Sequence, residues 1–341
     1  MHRGYLGLLL IAGAAFLLAG CSGTPEPAKP GGEAPKAAKT EGAKMLRIAV
    51  IPKGTTHEFW KSIHAGAKKA EQELTGVQID WQGPIVEDDR RAQIDLVETF
   101  IQKHVDGIVL APLDDKALVL PVQAASRAGI PVVIIDSDLA DPEAYESFVA
   151  TDNTKGGMLG GQRLAEVLGA NGGRVILLRY QVGSASTENR EKGFLEEMAR
   201  HPNIEVVSSN QYAGPTVETA MTAAQSLLTK FGEGQVDGIF CPNESSAYGM
   251  LQALRTAGRA GKVRFVGFDV SAKLLEALKA GEMQGLVLQN PFRMGHDGVA
   301  TVVSRIRGQK VPKRVDTGVV LATAENQADP QVDRLIHPPV E

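Results

Sequence analysis

Polar residues gather where strand-like runs of this chain end: Lys53 after Leu46–Ile51, Asp136-Ser137-Asp138 after Val132–Ile135, Asn243-Glu244 after Cys241-Pro242, Asp269 after Gly267-Phe268, and Gln289-Asn290 after Leu288. These carboxylates and amides have no metal-ligand spacing. They suit a polyhydroxylated ligand, because a carboxylate oxygen accepts from a hydroxyl while an amide both donates and accepts. Phe59, Trp60 and Phe268 offer flat apolar surfaces for the C–H face of a saturated ring.

Several of these residues also have plainer readings. Asp138 and Asp269 are equally readable as helix caps. Phe59 and Trp60 are adjacent and cannot share one helical stripe, so one packs inward and the other is free to face a cleft. The pair of aspartates at 136 and 138 is weak support for a divalent cation, and His57 and His64 have no accompanying ligands, so neither a metal nor a cofactor is expected. Gly156-Gly157 and Gly160-Gly161 lack the Lys-Ser/Thr of a phosphate cradle; small residues four apart permit close helix packing. No Gly-x-Ser-x-Gly elbow and no nucleophile with a base and an orienting acid is present, so the sequence supports no catalysis.

The elements that must position these residues follow from periodicity. From Met45 onward, β-branched runs alternate with helix-length amphipathic segments, which predicts a parallel sheet covered on both faces. Strands are expected at Leu46–Ile51, Val77–Trp81, Gly107–Leu110 and Val132–Ile135. A helix over 57–74 carries Phe59, Ile63, Ala67, Ala70 and Leu74 as one stripe, and Asp88 or Asp89 caps the next, which runs to His104 with Ile94, Val97 and Ile101 inward. After 149–151 a second series begins, with strands near 175–178, 204–208, Gly238–Phe240, 263–268 and 286–288. Two similar sheets in succession place ligands beyond the carboxyl ends of their strands, where the polar clusters lie.

The chain begins differently. Arg3 precedes an apolar stretch from Leu6 to Leu18, followed by Ala19-Gly20-Cys21. The stretch is too short for the ~20 residues that span a bilayer, and predicts a cleaved lipoprotein signal over 1–20 with Cys21 receiving a lipid; the alternative is an ordinary secretory signal. Residues 21–44 contain no branched aliphatic side chain and read as a disordered linker. The folded remainder is large enough for two domains. Net charge is −4 across the 341 residues and becomes one unit more negative without Arg3, with no basic cluster, so nucleic acid is not an expected partner. Once Cys21 is acylated, Cys241 is left alone and no intramolecular disulfide is available.

From Met45 to the end the chain resembles the ribose-binding-like branch of type I periplasmic binding proteins, which serve ABC importers. The resemblance rests on Ile51-Pro52-Lys53 with Glu58-Phe59-Trp60, Asp106 to Pro112, Gly129-Ile130-Pro131-Val132 leading to Asp136, Thr151-Asp152-Asn153, Asn189 to Phe194, Pro242-Asn243-Glu244, Val266-Gly267-Phe268-Asp269 and Gln289-Asn290-Pro291. Ile51-Pro52-Lys53, Gly83-Pro84 and Asp136-Ser137-Asp138 are similar to the rhamnose- and autoinducer-2-binding branch, where the lysine and second aspartate contact ligand. Glu244 stands where that branch has a small residue.

The resemblance implies an α/β fold of two doubly wound parallel-sheet lobes joined by three crossovers, near 150–152, 289–290 and 316–322. It implies an N-terminal lobe of 45–151 plus 290–318 and a C-terminal lobe of 152–289 plus 319–341. The implied site is Phe59 and Trp60 stacking on the ring, Asp136 accepting hydroxyls, Arg190 donating, Asn243, Asp269 and Gln289 as polar contacts, and Lys53 and Asp138 from the second branch. The implied activity is reversible capture of a monosaccharide, polyol or sugar-like molecule by hinge closure, as a monomer, with delivery to a permease and its ATPase. The alternative is presentation of the closed form to a membrane sensor. Related transcription repressors carry a helix-turn-helix where this chain has its signal and linker, so a repressor is not expected.

Cys21→Ser should abolish lipidation and move the protein from the membrane to the soluble fraction on fractionation. An unchanged membrane-bound fraction would count against the lipoprotein signal.

Overall fold

The computed structural model describes residues 45–337. The signal, Cys21 and linker readings lie outside that span.

Two six-stranded sheets are built in succession. The first holds β1 (Leu46–Ile51), β2 (Val77–Trp81), β3 (Gly107–Leu110), β4 (Val132–Ile135), β5 (Ser147–Ala150) and, from much later in the chain, β11 (Arg314–Asp316), in the order β11-β5-β4-β3-β1-β2. The second holds β6 (Gly173–Arg179), β7 (Ile204–Tyr212), β8 (Gly238–Phe240), β9 (Arg264–Phe268), β10 (Gly285–Leu288) and β12 (Val320–Ala322), in the order β12-β10-β9-β8-β6-β7. The helices are α1 (Glu58–Glu73), α2 (Arg90–Gln102), α3 (Val119–Arg127), α4 (Asn153–Leu168), α5 (Ala185–Met198), α6 (Val217–Lys230), α7 (Glu244–Thr256), α8 (Ala272–Lys279), α9 (Pro291–Ile306) and α10 (Pro330–Ile336). The chain passes between the sheets three times: from β5 to α4, from β10 to α9, and from β11 to β12.

The near-continuous apolar strands follow from burial on both faces. In β1, Ala49 and Ile51 enter one core and Ile48 and Val50 the opposite one. In β6, Ile176 and Leu178 face one core while Val175 and Leu177 face the other. Strands β1 to β4 and β8 have the bounds that their apolar runs predict. The edge strand β7 runs past 208 to Tyr212, because Ser208, Gln211 and Tyr212 pair with β6 after the apolar signal has ended. The edge strand β12 is antiparallel to β10, so the second sheet is not wholly parallel as expected.

Helix α1 departs from its predicted stripe. Trp60, Ile63, Ala67 and Ala70 are buried, whereas Phe59 is half-exposed. Trp60 is therefore the inward member of the pair.

Glycines set the closest helix approaches. A Cβ on Gly66 would stand 1.9 Å from Phe292 O, and one on Gly295 would stand 2.0 Å from Ile63 O, so α1 and α9 touch backbone to backbone. In the second lobe a Cβ on Gly157 would stand 1.9 Å from Arg190 O and one on Gly193 would stand 2.1 Å from Thr154 O. The glycine pairs near 156–161 are thus packing surfaces, and the α4–α5 contact fixes the turn of α5 that carries Arg190.

Gly157→Ala should cost about 1–3 kcal/mol through overpacking, read as a lower denaturation midpoint, and should displace Arg190. An unchanged midpoint would mean that α4 and α5 can separate freely.

Candidate ligand-binding site between the lobes

Asp136 and Asp269 occupy matching places in the two lobes, directly after the fourth strand of each sheet. Both adopt left-handed backbone conformations, with φ of 60° and 68°. Aspartate is among the few side chains that tolerate this region. Their N–H groups donate to the neighbouring strand, Asp136 to Val149 O at 3.2 Å and Asp269 to Val287 O at 2.8 Å. The sharp turn after each strand brings both carboxylates to the cavity between the lobes.

Arg190 of α5 lies between them, with its guanidinium 3.9 Å from a carboxylate oxygen of each. That separation is too long for a direct hydrogen bond. Nε donates to Asn153 Oδ1 at 2.8 Å and Nη1 to Pro242 O at 2.9 Å, while the plane stacks on Phe268 with 4.0 Å from Cζ to the ring centroid. Phe268 is therefore the floor under Arg190 and is not a surface for the ligand ring. Nη2 is buried with no partner, as is Gln289 Oε1. Burial lowers the Arg190 pKa from its ordinary value, against the opposing pull of Asp269 and Asp136.

Lys53 extends from the end of β1 and is only 2% exposed. Its ammonium meets Asp136 at 3.1 Å and donates to Ser184 Oγ at 3.2 Å and Ser186 Oγ at 3.0 Å. Ser184 immediately precedes α5 and Ser186 lies in its first turn, so this lysine ties the first lobe to the second. Ser186 N–H also donates to Ser137 Oγ at 3.0 Å.

Glu87 forms a second tie. Oε1 accepts from Trp60 Nε1 and from His57 Nδ1, each at 2.7 Å, and Oε2 accepts from the hydroxyl of Tyr180, in the second lobe, at 2.9 Å. Burial disfavours charge on both Glu87 and His57, yet their contact prevails: Glu87 is held down at about 2 and His57 up at about 9. Burial, then the Glu87 charge, raises the Tyr180 pKa well above its ordinary value, so its hydroxyl stays a donor.

The remaining polar groups come from strand ends of the second lobe. Gln289 Nε2 donates to Asp269 Oδ1 at 2.7 Å. Asn243 caps α7, accepting from Ser246 N–H, and its amide donates to Ser245 Oγ at 3.1 Å. Glu244 Oε2 accepts from Phe59 N–H at 3.3 Å across the cleft.

The structure brings Lys53, Phe59, Trp60, Asp136, Arg190, Asn243, Asp269 and Gln289 to one narrow inter-lobe cavity. Asp138 lies elsewhere: its carboxylate accepts from Tyr145 OH and Leu139 N–H, each at 2.8 Å, and it lines a separate surface depression beside Asn189 and Arg314. It is a local turn-stabilising residue, its carboxylate held by Tyr145 of the same lobe outside the cavity. Trp60 contributes through its buried ring and its bond to Glu87, leaving Phe59 as the more accessible aromatic face.

His57, Glu87, Tyr180, Ser184, Ser186 and Thr187 were not predicted for the site. Glu87 sits beside Asp88 and Asp89, the two expected caps of α2, of which Asp89 is the cap. The serines read as an ordinary helix start. His57 and His64 diverge, with His64 stacked on Trp81 at 4.4 Å.

The Glu87–His57 contact predicts a bell-shaped stability term. The raised histidine stabilises fully below about 6.5 and loses its contribution as pH climbs through about 9; the depressed carboxylate stabilises fully above about 4.5 and loses its contribution as pH falls towards about 2. The melting-temperature difference between wild type and Glu87→Gln should therefore be greatest between about pH 4.5 and 6.5 and shrink on both sides. A difference independent of pH would remove the ion pair from the account.

Residues 48–310 match the family described as a periplasmic binding protein domain. The chain is 31% identical to the D-allose-binding periplasmic protein of Escherichia coli (strain K12) over 278 residues, covering 80% of this chain and 88% of that protein. A carbohydrate transporter solute binding protein from Agrobacterium radiobacter, solved in complex with D-arabinose, superposes with a TM-score of 0.82 at 35% identity, covering 87% of this chain and all of that one. An ABC transporter solute binding protein from Agrobacterium vitis with bound D-fucose superposes with a TM-score of 0.81 at 33% identity, covering 85% of this chain and all of its own. Similarity of this extent, carried through the strand ends that build the inter-lobe cavity, makes the chain a member of the periplasmic binding protein domain family.

Proposed function

We propose that the chain is the extracytoplasmic substrate-binding component of an ABC importer, capturing a monosaccharide, polyol or sugar-like molecule between its lobes and delivering it to a membrane permease. The observation that carries this reading is the pair of buried, unpartnered atoms at the cavity, Arg190 Nη2 as donor and Gln289 Oε1 as acceptor. Leaving such groups unmatched costs about 1–3 kcal/mol each, more for a charged one. A hydroxyl satisfies either, and one lying between Arg190 and Asp136 or Asp269 bridges gaps of 3.9 Å. The relatives that hold D-arabinose and D-fucose support an aldose of that size.

In this reading the ligand-binding set is Lys53, Phe59, Trp60, Asp136, Arg190, Asn243, Asp269 and Gln289, with Lys53 acting through Asp136 and the α5 serines. The lobes are 45–151 plus 290–318 and 152–289 plus 319–341; the assignment of β11 to the first sheet and β12 to the second supports that division. Cys21 carries a lipid that tethers a monomer to a membrane through the 21–44 linker, as the apolar run ending at Leu18-Ala19-Gly20-Cys21 suggests.

A thermal-shift screen of the purified protein against pentoses, hexoses, deoxysugars and polyols tests the reading, because a ligand at 100 times its Kd adds about 2.7 kcal/mol to the folded state. A hit confirmed by calorimetry is the expected outcome. Silence across the panel from well-folded, ligand-free protein would overturn it. Arg190→Ala and Asp269→Ala should each weaken the confirmed ligand by roughly 2–5 kcal/mol, the loss typical of truncating one partner among buried charges.

A further inference from the structure

Contacts between the lobes extend beyond the ligand cavity. Beside it, the first lobe grips residues 181–183, part of the loop between β6 and α5. Arg90 Nη2 donates to Val182 O at 3.1 Å, Asp115 N–H donates to Gly183 O at 2.9 Å, and Gln181 Nε2 donates to Glu87 O at 2.6 Å. Arg90, Asp115 and residues 181–183 line no part of the cavity, so these three bonds join the lobes without any atom of a ligand.

We propose that this loop is a strap by which the second lobe fastens onto the first, and that Arg90 and Gln181 are positioning residues that set ligand affinity without touching ligand. The proposal rests on the binding reading above and adds roles for residues outside the site.

Both halves of the strap are held in shape by their own lobe. On the first lobe, Arg90 Nε donates to Asp114 Oδ2 at 2.7 Å, and Asp114 Oδ1 accepts from the N–H groups of Lys116 and Ala117 at 3.0 and 2.8 Å. Asp115 O accepts from Ala140 N–H at 2.9 Å. Separating the lobes leaves these partners together and removes only the carbonyls of Val182 and Gly183. On the second lobe, Gly183 N–H donates to Glu188 Oε1 at 2.8 Å and Thr187 Oγ1 donates to Ser184 O at 3.1 Å, which join the loop to the first turns of α5. Gly183 has a φ of 89°, and a Cβ there would collide with Asp114 Oδ2, so only glycine lets the loop come this close. Two surfaces prepared in this way lose little conformational freedom when they meet.

The strap acts on the ligand through α5. That helix carries Arg190, so drawing its leading loop onto the first lobe brings the guanidinium to its place facing Asp136. A ligand that bridges these two groups binds the closed arrangement, and its apparent Kd is the Kd of that arrangement divided by the fraction of molecules closed. One net hydrogen bond changes an equilibrium by about two- to tenfold, which is the change in the closed-to-open ratio expected from removing either strap side chain. Arg90 is exposed and Gln181 only half-buried, so truncating them leaves both lobe cores intact.

Chemical-exchange NMR of the ligand-free protein, read at the Asp115 and Ser186 amides that donate across the lobes, measures the closed-to-open ratio with no sugar present. Arg90→Ala and Gln181→Ala, one from each lobe, should each lower that ratio by about two- to tenfold. The Ala140 amide, bonded within the first lobe, should keep its wild-type signal. Calorimetry with D-arabinose, D-fucose and D-allose should then show every sugar that binds losing affinity by one common factor, that by which the closed fraction falls. A ratio unchanged in either variant would overturn the proposal whether or not any sugar binds, and so would losses that differ from sugar to sugar, since they would mean direct contact with ligand. A lowered ratio with no heat from any of the three sugars in wild type would uphold the strap and count against the binding reading alone.

Discussion

The burial of one guanidinium organises this site. Taking Arg190 out of water costs several kcal/mol even after relaxation, and its surroundings are arranged to offset that cost. Asn153 and the Pro242 carbonyl take two of its nitrogens, Phe268 supports its plane, and two aspartates stand at equal distance. These five supports come from four structural segments: the first residue of α4, the loop before α7, the end of β9, which supplies both Phe268 and Asp269, and the end of β4. Close approach of α4 and α5 through glycines is what puts the arginine at that crossing. The nitrogen left over marks where a ligand completes the arrangement.

Many of the contacts that join the lobes are made by groups in or beside the same cavity. Lys53 reaches Ser184 and Ser186, Ser137 receives Ser186 N–H, Tyr180 reaches Glu87, and Glu244 reaches Phe59. A typical hydrogen bond contributes only about 0.5–1.5 kcal/mol net, so several of them bias the lobes towards closure without making it irreversible. Ligand adds the contacts that the protein cannot make with itself. Binding and closing therefore draw on one set of side chains, and a change at Glu87 or Ser186 affects both.

Much of this was legible in the chain. Runs such as Leu46–Ile51 and Val132–Ile135 declare fully buried strands, and in open parallel sheets the residue after such a strand faces the ligand. That reasoning reaches Lys53, Asp136, Asn243, Asp269 and Gln289, which all line the cavity. It fails for Asp138, three residues past β4, because its carboxylate is taken up by Tyr145 outside the cavity. It also misses Glu87, Tyr180, Ser184 and Ser186, whose relevance comes from the opposite lobe and leaves no periodic trace in their own segments.

The sequence by itself determined the two sheets, the strand ends and the polar character of what gathers there, because hydrophobic periodicity and turn chemistry are local properties. Only the tertiary structure decided which of those groups are already matched. Lys53 looks like a ligand contact until its three partners are seen, and Glu244 looks like one more strand-end carboxylate until Phe59 of the other lobe meets it. Pairing between residues more than a hundred positions apart depends on how the lobes close, and no short-range pattern encodes that.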